Sequence, residues 1–123
     1  MSPRRSVLSK KASLNHSSLR IAAPIFAALG DETRLRLITI LCAGGALSIA
    51  QLTSGTEITR QAVTKHLHVL ADAGLVRNIK LGRERLWEFE STQLEEVRRS
   101  LDVIARQWNH VLNKLKMEVE RRT

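Results

Sequence analysis

The sequence predicts a mainly α fold with one small β-hairpin (α+β) and a long C-terminal helix. Three observations carry that reading. Apolar residues recur at helical spacing along most of the 123 residues. One arginine-rich stretch, Leu75 to Glu90, instead alternates apolar and polar residues about Gly82, as a hairpin does. The final segment carries an apolar 3-4-3-4 repeat too long for a small domain to cover by itself.

Caps and breakers set the order of the elements. Pro24 suits the first turn of a helix through Ile25, Phe26, Ala27, Ala28 and Leu29, with Gly30 as its terminator. Asp31 caps a second helix, DETRLRLITILC, with Glu32 in its first turn. Leu35, Ile38, Leu41 and Cys42 form its expected core stripe, and Gly44 and Gly45 end it. Ser48 and Gln51 make a capping box that opens a short third helix stopping near Gly55. The turn Gly55-Thr56-Glu57-Ile58 has the length and the glycine that a helix-turn-helix needs.

The fourth helix lies within TRQAVTKHLHVLADAGLV, Thr59 to Val76. Val63, Leu67 and Leu70 fall on its core face, flanked by Ala62, His66 and Ala73. Arg60, Gln61, Thr64, Lys65 and His68 turn to solvent, with no acid among them before Asp72, and together with Thr59 they are the candidate DNA contacts of this helix. Such side chains read base edges and hold phosphates: arginine to guanine, glutamine to adenine, threonine and lysine to backbone oxygens. Gly74 closes the helix, and the hairpin follows at once. Ile79 and Leu81 alternate on its first strand, Trp87 and Phe89 on its second. Its tip gathers Lys80, Arg83 and Arg85 around a single Glu84, a charge pattern that suits a phosphate backbone or a minor groove and also suits protection of an edge strand.

The last helix is expected over about residues 92–119, roughly 40 Å long, with a capping box at Thr92-Gln93-Leu94-Glu95. Leu94, Val97, Leu101, Ile104, Trp108, Val111 and Leu115 are seven successive a and d positions. A stripe of that length calls for a partner, most simply a second copy of the chain. The expected organisation is therefore a basic leader at 1–20, a DNA-binding unit at 21–90, and a dimerisation helix at 91–123 belonging to the same domain.

Composition bounds the function. The formal charge is +8, from 20 basic and 12 acidic residues. That surplus favours a polyanion, nucleic acid first and an acidic membrane second. Arg4, Arg5, Lys10, Lys11 and Arg20 carry much of it in a stretch without acids. This leader reads as a solvated tail, with a DNA-contacting arm as the alternative. It lacks the apolar core of a secretory signal and only weakly resembles a transit peptide. No apolar run approaches the roughly 18 residues of a membrane span. A single cysteine, Cys42, excludes an intrachain disulfide and points to a reducing, cytoplasmic setting; on the apolar face of its helix it reads as a small buried hydrophobe. No phosphate-cradling glycine loop or convergent acid–base set is present, so no enzyme is expected.

Three segments, ALGDETRLRLITIL, ITRQAVTKHLHVLADAGLV and GRERLWEF, resemble the ArsR family of bacterial winged-helix transcriptional repressors. The resemblance covers about residues 22–119. It implies a winged helix-turn-helix with a long C-terminal dimerisation helix, and a homodimer that binds an inverted-repeat operator in double-stranded DNA. Carried over by position, the family's operator contacts fall on Arg60, Gln61, Thr64 and Lys65, with Arg83 and Arg85 from the wing. The metal ligands of many members are missing. Their cysteine pair on the third helix corresponds to Ser48-Ile49-Ala50-Gln51-Leu52, while Asp102 is followed at 104 by Ile and His110 at 113 by Asn. His66 and His68 lie about 200° apart around a helix and cannot chelate together. No metal or other cofactor is expected, an atypical site between subunits, or one using His16, being the exception. A module docking protein or RNA is the alternative function, disfavoured by the acid-free face. The releasing signal is not encoded in any motif.

Overall fold

The computed structural model describes residues 19–122; the expectations for the basic leader lie outside these, apart from Arg20. Helix α1 covers residues 19–29. It is followed by α2 (Glu32–Gly44), α3 (Ile49–Ser54), α4 (Arg60–Asp72), β1 (Val76–Leu81), β2 (Glu84–Phe89) and α5 (Thr92–Arg122). Because α1 is already helical at residue 19, Pro24 sits inside the helix rather than in its first turn. Ala22, Ile25 and Ala28 turn inward while Leu19, Ile21 and Phe26 remain exposed.

One core holds these elements together. Leu37, Leu41, Leu52, Val63, Leu67, Leu70 and Leu75 are sealed from solvent, with Ile25, Trp87 and Val97 packed around them. The stripe expected on α2 is rotated. Leu37 is fully buried, whereas Leu35 is 47% exposed and Cys42 faces solvent. Cys42 lies one heptad from Leu35, on the same side of α2, so the same rotation exposes both.

Local chemistry fixes the helix ends. The Asp31 carboxylate accepts the Arg34 N–H at 2.9 Å and caps α2. Ser48 and Gln51 form the reciprocal capping box at α3, with bonds of 2.9 and 3.2 Å. At the end of α4, Leu75 N–H reaches the Leu70 carbonyl and Gly74 N–H reaches that of Ala71, both at 2.9 Å. These are the two bonds of a Schellman motif, and the buried Leu70 and Leu75 supply its apolar contact. Gly74 there has φ +76°, and a Cβ on it would come within 2.7 Å of the Gln93 side chain. At α5 the expected capping box is not formed. Thr92 is the first helical residue, and its hydroxyl and N–H both donate to the upstream Glu90 carboxylate, at 2.8 and 3.3 Å. Those two bonds, the hydroxyl's first, hold the Glu90 carboxyl below the usual carboxylate range.

The hairpin pairs Val76 with Phe89 through to Leu81 with Glu84. Gly82, at φ +64°, takes the first loop position of the two-residue turn, where a type II′ turn requires positive φ. Ile79 is half-buried, but Leu81, expected beside it on the inner face, is exposed near the tip. A third strand position was not expected. Leu47 exchanges both backbone bonds with Trp87, at 2.9 and 2.7 Å, and ties the base of the hairpin to the loop after α2. The hairpin is therefore docked on the helices rather than free-standing.

Along α5, Ser100 is the last buried residue. Leu94 and Val97, expected to start the dimer stripe, pack instead against their own domain's core. Leu101, Ile104, Trp108, Val111 and Leu115 continue the repeat into solvent, with Leu112 and Val119 beside them.

Candidate nucleic-acid interface

The turn at residues 55–59 sets α4 behind α3. Thr59 begins α4, and its hydroxyl accepts the Ala62 N–H at 3.2 Å. That bond uses an oxygen lone pair and leaves the hydroxyl hydrogen free to donate, so capping and a phosphate contact are compatible. Replacing Thr59 with alanine should cost about 1 kcal/mol of stability, and with serine much less. Urea denaturation of Thr59→Ala and Thr59→Ser checks this; equal midpoints would show that the cap contributes nothing.

With Val63, Leu67 and Leu70 buried, the opposite face of α4 presents Gln61, Lys65 and His68 at successive turns, all exposed. Arg60 is exposed beside them, and Thr64 is half-buried, its hydroxyl donating to the Arg60 carbonyl at 2.8 Å. His68 does more than face solvent. Its ring meets that of Trp87 edge-on, with centroids 6.1 Å apart, so α4 touches the base of the hairpin. Among the described residues no carboxylate forms an ion pair with Arg60 or Lys65.

The hairpin divides into two electrostatic halves. Near its base Arg77 stands opposite Glu88 and is hydrogen-bonded to it, with Glu90 also close. The bond to Glu88 raises the Arg77 guanidinium above its ordinary range. Nearer the tip Lys80 stands directly opposite Arg85, a like-charge pair that destabilises a hairpin in isolation. Arg83 is exposed in the loop between them and, like them, has no carboxylate partner among the described residues. The spacing of these cations along the chain does not reveal that two of them face each other. Such a cross-strand pair is relieved by a polyanion.

Among the described residues no group of three or more His, Cys, Asp or Glu side chains converges on one point. No described helix is long and apolar enough to cross a membrane.

Known proteins share this arrangement. A family model described as a helix-turn-helix domain matches residues 29–79. The HTH-type transcriptional regulator YuzN of Bacillus subtilis is 39% identical over 79 residues, covering 59% of this chain and 86% of that protein. An ArsR-like transcriptional regulator from Rhodococcus sp. RHA1 superposes with a TM-score of 0.72 at 34% identity, covering 82% of this chain and 94% of that one. The chain belongs to the ArsR family of winged-helix transcriptional regulators. The hairpin is accordingly the wing, and α3 and α4 the helix-turn-helix, of a DNA-binding regulator. The arsenical resistance operon repressor of Bacillus subtilis is a further relative, 33% identical over 72 residues that cover 58% of this chain and 66% of that protein.

Proposed function

We propose that this ArsR-family regulator is a cytoplasmic homodimeric repressor that reads an inverted-repeat operator. Each subunit would place Arg60, Gln61, Thr64, Lys65 and His68 in a major groove. Lys80, Arg83 and Arg85 would lie on the flanking backbone or minor groove. The observation that carries this reading is the set of unpaired cations, Lys80 opposite Arg85 above all, on the wing that adjoins an acid-free recognition face. The two-fold arrangement is supported by the exposed apolar run from Leu101 to Val119, with Leu19, Ile21, Phe26 and Leu35 as further uncovered apolar groups.

Selection of genomic fragments by the purified protein, followed by footprinting, tests the proposal. Two related half-sites should be protected on one side of the duplex, with centres about 10 base pairs or a multiple of that apart. Affinity should fall steeply with salt, by roughly 0.9 log units per log unit of salt for each phosphate contacted. Enrichment of no common site, or tighter binding to RNA than to duplex DNA, would refute it.

A further inference from the structure

On the inner flank of α4, away from the DNA face, a polar cluster joins the recognition helix to α1. Arg34, in the first turn of α2, donates through Nε to the Ala28 carbonyl and through Nη2 to that of Ala27 at 3.4 Å. It thereby closes the C-terminal end of α1. Its remaining nitrogen, Nη1, lies 3.3 Å from Nδ1 of His66 on α4. A guanidinium only donates, so this contact is a hydrogen bond only when Nδ1 carries its lone pair and the ring is neutral, with its proton on Nε2.

The same Nδ1 lies 3.9 Å from Oδ2 of Asp31, the α2 cap. Asp31 only accepts when ionised. Its backbone bond from Arg34, with the nearby Arg34 charge, holds its carboxyl below the usual range and so keeps it an anion. One ring nitrogen thus has two possible partners and can satisfy only one of them at a time. The groups that face it are few. From α2 come Asp31 and Arg34; from α1 come only the carbonyls that Arg34 already holds. No hydrogen bond or ion pair joins His66 to α3 or β1 among the described residues. On α4 itself the charged Lys65 and Asp72 are exposed, and the residues one turn away are Ala62 and Leu70.

We propose that His66 is a proton-operated latch on the recognition helix. Neutral, its Nδ1 accepts from Arg34 and ties α4 to the C-terminal end of α1. Protonated, Nδ1–H is repelled by the guanidinium, donates to Asp31 Oδ2, and releases that tie, which lowers operator affinity. Histidine is the side chain whose ordinary titration falls between about pH 5 and 8. The inference rests on the reading of α4 as the operator-contacting helix, because only then does its attachment to α1 bear on DNA.

The test compares the full-length protein with His66→Asn, which keeps a short polar side chain but cannot take up a proton. Affinity for the genomic fragment selected by the wild type is measured from pH 8 to pH 5.5. His68 is present in both proteins, so their ratio isolates position 66. The wild-type to His66→Asn affinity ratio should fall about tenfold over that range. Asp31→Asn retains a good N-cap but removes the acceptor's charge, and should move the acid loss to lower pH. Nitrogen-15 NMR of the wild-type ring, recorded without DNA, should show the Nε2–H tautomer at pH 8. A constant affinity ratio, or a ring protonated on Nδ1 at pH 8, would overturn the latch. A protein that selects no operator would instead overturn the reading of α4, while the NMR measurement would still decide the hydrogen-bond exchange.

Discussion

Trp108→Glu should convert the proposed dimer to a folded monomer and lower operator affinity by about 10²–10⁴, the range by which two linked binding events exceed one. Trp108 is 60% exposed and lies past Ser100, the last buried residue of α5, so its own domain has no use for it. Leu101, Ile104, Val111 and Leu115 share its 3-4-3-4 stripe and are similarly uncovered. A carboxylate in the middle of that stripe would have to lose its hydration in the dimer without gaining a partner. Val97→Glu should behave differently. That side chain is 4% exposed within the core, so the same charge there unfolds the subunit. Arg106→Glu provides the opposite control, because position 106 lies about 200° around the helix from 108 and should leave the dimer intact. Sedimentation and far-ultraviolet circular dichroism separate the three outcomes. A dimeric Trp108→Glu protein would show that the apolar stripe of α5 does not hold the subunits together.

Where the sequence could be read and where it could not follows from the range of the interactions. The Asp31 cap, the Ser48–Gln51 box and the Gly74 stop all form between residues a few positions apart, and the structure retains each. The α4 faces were also legible, because Val63, Leu67 and Leu70 are apolar while Gln61, Lys65 and His68 are not. On α2 the same method failed. Leu35, Leu37, Ile38, Ile40 and Leu41 are apolar almost all round the helix, so spacing alone could not say that Leu37 points inward and Leu35 outward. A capping box would have the Thr92 hydroxyl accept the Glu95 N–H; instead the hydroxyl donates to the Glu90 carboxylate and the Glu95 N–H goes to the Ser91 carbonyl. Leu47 joins the hairpin through a single pair of backbone bonds, which leaves no period to detect. Arg34 and His66 are 32 residues apart and meet only through packing. Lys80 and Arg85 oppose one another only once the register is set, and Gly82 sets it.

Gln61→Ala and Arg60→Ala should each weaken operator binding by about 1–3 kcal/mol and relax preference at one base pair of each half-site, as expected for a side chain bonded to a base edge. Both side chains are exposed and make no contact with the core, so the fold should change by no more than roughly 0.5 kcal/mol. Gln61 is the stronger test. It carries no charge, so any loss of affinity cannot come from weaker attraction to the phosphate backbone. The wing supplies the contrast. Arg83→Ala removes a cation from an exposed loop, and if Arg83 holds a phosphate it should lower affinity for operator and unrelated DNA alike, reducing the salt slope by about 1. Titrating each variant against the operator, and against operators changed one base pair at a time, distinguishes the two patterns. If Gln61→Ala bound every operator as the wild type does, α4 would not be reading bases, and specificity would have to come from the wing or from the shape of the DNA.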